Sequence, residues 1–130
     1  MSVTLCLDPG TAHTGIAISH EGLLSEPLHT IFERDIDVLV ARLAPFIARL
    51  NPSTIVIGTP SSGPLVKTAE ELSEKLPRIF SGEIVLFNED LSSKEARSKM
   101  REAGKSGADI KAFEHQTAAA IILQDYLDSL

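Results

Sequence analysis

The sequence predicts an α/β fold on a mixed five-stranded sheet, and three observations carry that expectation. Short apolar runs recur at strand length, at Val3–Leu7, Gly15–Ser19 and Thr54–Gly58. Only turns separate the first runs, whereas helix-periodic stretches separate the later ones. The chain has 130 residues with 43% hydrophobic and 23% charged content, which suits one globular domain, 1–130, with its own core.

Each element follows from its local pattern. Residues 3–8 and 14–19 read as strands joined by a glycine-containing hairpin turn, and residues 23–31 as a weaker third strand. Asp35 or Asp37 starts a helix through Asn51, with Ile36, Leu39, Val40, Leu43, Phe46, Ile47 and Leu50 on one side and Pro45 as an expected kink. Thr54–Gly58 is a continuous apolar strand of the kind found in the buried middle of a sheet. After a loop over Thr59–Gly63, Pro64 suits the start of a helix reaching Phe80. Glu83–Phe87 is the fifth strand. Ser92 or Ser93 caps a helix to Ala103, which Gly104 ends, and residues 104–112 read as flexible. The last helix is expected over Glu114–Leu127, with Ala118, Ala119, Ile122, Leu123 and Tyr126 on a broad apolar face. An exposed face of that helix would support self-association into a homodimer. Hairpin strands first and crossover helices later is the element order of the ribonuclease-H-like fold.

The bulk properties narrow the function classes. The formal net charge is −6, which disfavours a protein that coats nucleic acid through bulk electrostatics but leaves room for a carboxylate-bearing nuclease. Lys94, Arg97, Lys99, Arg101, Lys105 and Lys111 crowd one stretch and offer a contact strip, diluted by Glu95, Glu102 and Asp109; a solvated helix face explains it equally well. Cys6 lies inside the first apolar run and reads as a small buried hydrophobe. No apolar run reaches membrane length and the N-terminus does not read as a signal peptide, so a cytoplasmic location is expected.

The chemistry-bearing pattern is Asp8-Pro9-Gly10-Thr11 at the end of a buried strand. An Asp on a rigid strand end beside a permissive glycine presents oxygen ligands to a divalent metal or a phosphate. A plain turn-capping Asp is the alternative. In an open α/β sheet, ligands gather at the carboxyl ends of the central strands, where Asp8, Gly58 and Glu89 would meet. Ser61 and Ser62 then read either as phosphate contacts or as ordinary loop polar groups.

Four blocks in order resemble the YqgF/RuvX family of pre-ribosomal-RNA nucleases and Holliday-junction-resolvase-like proteins. They are Leu7-Asp8-Pro9-Gly10-Thr11 with Gly15-Ile16-Ala17; Ile55-Val56-Ile57-Gly58-Thr59-Pro60 with Gly63-Pro64; Asn88-Glu89-Asp90-Leu91-Ser92-Ser93 with Ala96; and Ala118 to Asp128. The resemblance covers essentially the whole chain. It implies a metal-dependent endonuclease using Mg2+ or Mn2+ on structured RNA or branched DNA. It further implies Asp8, Glu89 and His115 as catalytic and metal-binding residues, the third standing where the family usually has Asp. Gly10, Thr11, Ser61, Ser62, Lys94, Arg97 and Lys111 are the expected substrate contacts. Asn88 stands for an acid, Asp90 for an arginine, Ala12 for a basic residue, and His20 for the acid that commonly ends the second strand. These departures imply altered metal preference, altered substrate or lost catalysis, the last leaving a nucleic-acid-binding or scaffold protein. An actin-like ATPase phosphate loop is a third reading of Asp-x-Gly-Thr, disfavoured because this length leaves no room for a second closing domain.

Overall fold

The computed structural model describes residues 2–89 and 108–130. Their elements run β1 (Thr4–Pro9), β2 (Thr14–Ser19), β3 (Glu26–Ile31), α1 (Ile36–Leu50), β4 (Thr54–Thr59), α2 (Pro64–Lys75), a 3-10 turn (Leu76–Arg78), β5 (Glu83–Asn88) and α3 (Ala108–Asp128). The five strands form one sheet in the order β3-β2-β1-β4-β5. β1 pairs antiparallel with β2, and β2 with β3, while β4 runs parallel to β1 and β5 parallel to β4. This is the predicted mixed sheet, three antiparallel strands followed by two parallel ones.

Strand alternation divides the core into two layers. On one side Leu5, Leu7, Ile16, Ile18, Ile55 and Ile57 pack against Leu39, Val40, Leu43 and Ile47 of α1 and Ala69 and Leu72 of α2. On the other, Cys6, Ala17 and Val56 meet Ala119, Ile122 and Leu123 of α3. Among the described residues no helix is long and apolar enough to cross a membrane.

Local chemistry sets the helix limits. Asp35 is the N-cap of α1, its carboxylate accepting from the Val38 amide at 3.1 Å, and Asn51 closes the helix in the left-handed region at φ 47°. The helix runs on through Pro45, whose missing donor falls on an exposed position. α2 starts at Pro64 as expected but ends at Lys75, not Phe80. Pro77 cannot donate into an α ladder, so the chain tightens into the 3-10 turn, although Leu76 before it keeps right-handed helical dihedrals at φ −56° and ψ −34°. β3 begins at Glu26 rather than residue 23. Leu23 and Ser25 instead serve a turn held to α3: Gln124 donates to the Leu23 carbonyl at 2.9 Å and accepts from the Ser25 amide at 3.0 Å. α3 begins at Ala108, so residues 108–112 are helical rather than loop. The helix expected from Ser92 or Ser93 to Ala103 lies outside the described residues.

Candidate active site

Asp8 stands next to last in β1, and the pleat puts it on the same side as Cys6, facing α3. Register then brings its neighbours into place. Asp8 pairs with Gly15 of β2. Leu7 pairs with Ile57 of β4, so the following residue, Gly58, comes up beside Asp8. Gly58 pairs with Phe87 of β5 and Thr59 with Asn88, which leaves Glu89 immediately past the strand end. A Cβ built on Gly58 would stand 3.5 Å from Glu89 Oε2 and 3.1 Å from Ile122 Cδ1. The glycine therefore gives the Glu89 carboxylate room over the strand that separates it from Asp8. Cys6, fully buried beneath, registers both acids. Burial pushes its thiol up first, and the Asp8 and Glu89 carboxylates push it further. Carboxylates from β1 and from the end of β5 thus converge at one end of the sheet.

His115 comes to this end by a different route. Its backbone carbonyl lies so close over Gly15 that any Cβ on that glycine would collide with it. Its ring stacks on His13, with centroids 3.4 Å apart and planes 21° apart, and takes Phe32 edge-on at 6.3 Å. His13 is placed by the hairpin turn, where the Gly10 amide donates to the His13 carbonyl at 2.7 Å and the ring covers the space a Gly10 side chain would need. Burial, and then the neighbouring His115, lower the His13 imidazole to about 4, so it is neutral near pH 7.

The other expected contacts divide by position. Gly10 and exposed Thr11 form the β1–β2 turn, and exposed Ser61 and Ser62 lie in the β4–α2 loop at the same end of the sheet. Asn88, which stands where an acid was expected, donates its amide to Ser61 Oγ at 3.0 Å and ties that loop to β5. Lys94 and Arg97 lie outside the described residues, and Lys111 falls in the first turns of α3. His20 is a correction. β2 runs antiparallel to β1, so its last residue, Ser19, pairs with Thr4 at the far end of the sheet. His20 there contacts Glu26 at 3.0 Å in the open, and its departure from the family pattern does not bear on this site.

Sequence reasoning missed three residues. Gly15 was read as part of a strand, although a glycine at a strand's start is a sign of close backbone approach. His13 carried no signal of its own beyond standing next to Ala12, the position that departs from the family pattern. Phe32 gave no local signal, because its partner lies more than eighty positions away on α3. Among the described residues no three His, Cys, Asp or Glu side chains are grouped so as to hold a metal ion. Asp8 and Glu89 offer hard oxygen donors, and two carboxylates are a set that magnesium accepts when water and substrate complete its shell.

The chain is similar to known proteins along nearly its whole length. The family model RuvX, described as Holliday junction resolvase, matches residues 2–129. A protein of Geobacillus kaustophilus named "Putative pre-16S rRNA nuclease" is 38% identical over 135 residues, covering 97% of each chain. One of the same name from Chloroflexus aurantiacus is 32% identical over 133 residues, covering 98% of this chain and 87% of its own. Two solved structures share the fold at 13% identity. Thermus thermophilus RuvC has a TM-score of 0.62 over 98% of this chain and 95% of its own. The fowlpox virus Holliday junction resolvase has a TM-score of 0.60 over 98% and 99%. With the order of sequence blocks, the mixed sheet and the match along nearly its whole length in agreement, this chain belongs to the RuvX family.

Proposed function

We propose that this protein is a divalent-metal-dependent endonuclease that hydrolyses phosphodiester bonds in structured nucleic acid. By its relatives' names, the substrate would be a ribosomal RNA precursor or a branched DNA junction. The observation that carries this reading is the convergence of Asp8 and Glu89 beside the bare backbone of Gly58. Mg2+ or Mn2+ fits there because both groups are carboxylates and the adjoining Thr11, Ser61 and Ser62 are exposed at the same end. Bound at such a site, the ion lowers the pKa of a water and neutralises charge on the phosphate.

The chain's own residues supply the rest. Asp8, on a paired strand, fixes the rigid half of the metal-binding pair, and Glu89 provides the other half from the end of β5. Gly10 and Thr11 bring the turn backbone close to the substrate phosphate, and Ser61 and Ser62 contact the neighbouring backbone. His115, whose ring stacks on His13 and meets Phe32 edge-on, would serve from the same end of the sheet either as a further nitrogen ligand or as the group that orients or deprotonates the attacking water. A second reading, binding without cleavage, is favoured by one observation. Asn88 spends its side chain on the Ser61 hydroxyl, a structural use for a position where the family has an acid.

The test is cleavage of a stem-containing RNA and of a four-way DNA junction in Mg2+ and in Mn2+. Wild type is expected to cut at least one of them. Asp8→Asn is expected to lose roughly 10²–10³-fold in rate, the scale for removing one electrostatic group from a transition state. Metal-dependent binding with no cutting of either substrate would select the second reading. Cutting by Asp8→Asn at the wild-type rate would end the first.

A further inference from the structure

An aromatic group of His13, His115 and Phe32 stands at the same end of the sheet as the carboxylates. Phe32 sits one residue beyond the last rung of the sheet, where Pro9 pairs with Thr14 and Thr14 with Ile31. Alternation along β3 sends Ile31 into the α1–α2 core and Phe32 to the α3 side, the side that bears Asp8. Its ring meets His115 edge-on yet remains 53% exposed. The Phe32 carbonyl accepts from Arg42 Nη1 at 2.9 Å, so the backbone beneath the ring is held. Exposed Arg34 follows two residues later. A half-open aromatic face on an anchored backbone, with an arginine two residues on and two carboxylates at the same end of the sheet, matches what an unpaired base requires. Every base has a π-face, and its phosphate is drawn to the arginine.

We infer that Phe32, backed by the stacked His115 and His13 rings, is a stacking platform for one unpaired nucleobase adjoining the cleaved phosphodiester. This rests on the reading that nucleic acid occupies the carboxylate site. It makes the substrate class a junction of paired and unpaired strand rather than a plain duplex. Phe32 is then a specificity-determining residue, acting on which strand enters and not on the chemistry.

Equilibrium binding in excess EDTA separates this inference from cleavage. The probes are an RNA stem–loop and a DNA stem–loop, each with 2-aminopurine in the unpaired segment, and a blunt duplex of the same stem. Wild type is expected to bind a stem–loop more tightly than the duplex and to quench the 2-aminopurine. Phe32→Ala is expected to bind that stem–loop about tenfold more weakly without quenching, the scale of one base–aromatic stack, with duplex binding unchanged. Phe32→Trp keeps both the affinity and the quench. Whichever stem–loop responds identifies RNA or DNA as the source of the base. Equal binding of stem–loop and duplex by wild type, or unchanged affinity and quench in Phe32→Ala, overturns the inference. Phe32-dependent binding by a protein that cuts nothing in Mg2+ or Mn2+ leaves the inference standing and removes only the nuclease reading.

Discussion

The two faces of the sheet are built from alternating residues of the same strands, yet they do different work. Towards α1 and α2, β1, β2 and β4 offer Leu5, Leu7, Ile16, Ile18, Ile55 and Ile57, all essentially fully buried. Towards α3 the intervening positions are Cys6, Asp8, Gly15, Ala17, Val56 and Gly58. Large side chains hold two helices off on one face and fill the space between with apolar volume. Small ones let α3 approach until the His115 carbonyl lies over Gly15 and Ile122 lies over Gly58. The first face is where burial supplies stability. The second gives up volume so that polar groups from β1, β5 and α3 can share one end.

The largest way to break this contrast is to hollow out the first face. Leu5 is 1% exposed and far from Asp8 along β1, so Leu5→Ala removes buried volume without touching the site. About 2–5 kcal/mol of stability is expected to go, read from urea unfolding, while cleavage per folded molecule stays at the wild-type level. Lost cleavage in the folded fraction would mean that the faces are not separable.

Adding one methyl to the second face should do the reverse. Gly15→Ala places a Cβ against backbone that cannot rotate away, so α3 must shift outward. The expected stability loss is smaller, about 1–3 kcal/mol, but activity should fall even in the fully folded protein because His115 moves with the helix. A Gly15→Ala protein with normal unfolding and normal cleavage would show that the close approach is not what places His115.

How much of this was legible in the sequence depends on how local each cause is. The strands were readable because Leu5, Leu7, Ile55 and Ile57 announce burial within their own runs. Asp8 and Glu89 were readable because each follows such a run, and parallel strands send their carboxyl ends to one edge. The last helix began six residues earlier than expected, since Ala108 to Lys111 carries no apolar stripe and tertiary context sets its start. His20 was misplaced because it was assigned by analogy to the site, although the antiparallel turn from β1 to β2 sends it to the opposite end. The grouping of His13, Phe32 and His115 was invisible. It needs the register of β2 on β3 and the path of α3 together, and no spacing in the chain encodes it.

The smallest expected effect sharpens the first face. Asp37, in the first turn of α1, meets Lys75 Nζ at 2.9 Å and Arg78 Nη1 at 3.3 Å, joining the two helices that cover the large residues. The Lys75 hydrogen bond, then its charge, with Arg78 beside it, hold the Asp37 carboxyl below its usual range. The unfolded chain therefore takes up a proton at higher pH than the folded one. Its stabilisation is complete above about pH 4 and disappears as the pH falls through the lowered folded value. The side chain is 63% exposed, so solvent screens the pair and the contribution is small. Asp37→Asn is expected to melt slightly below wild type at pH 7, with the gap narrowing in 0.5 M salt and closing as the pH falls through the lowered folded value of Asp37. A gap that persists in acid would assign the difference to something other than the carboxylate's charge, because a protonated Asp37 has lost both the bridge between the helices and its favourable interaction with the dipole of α1.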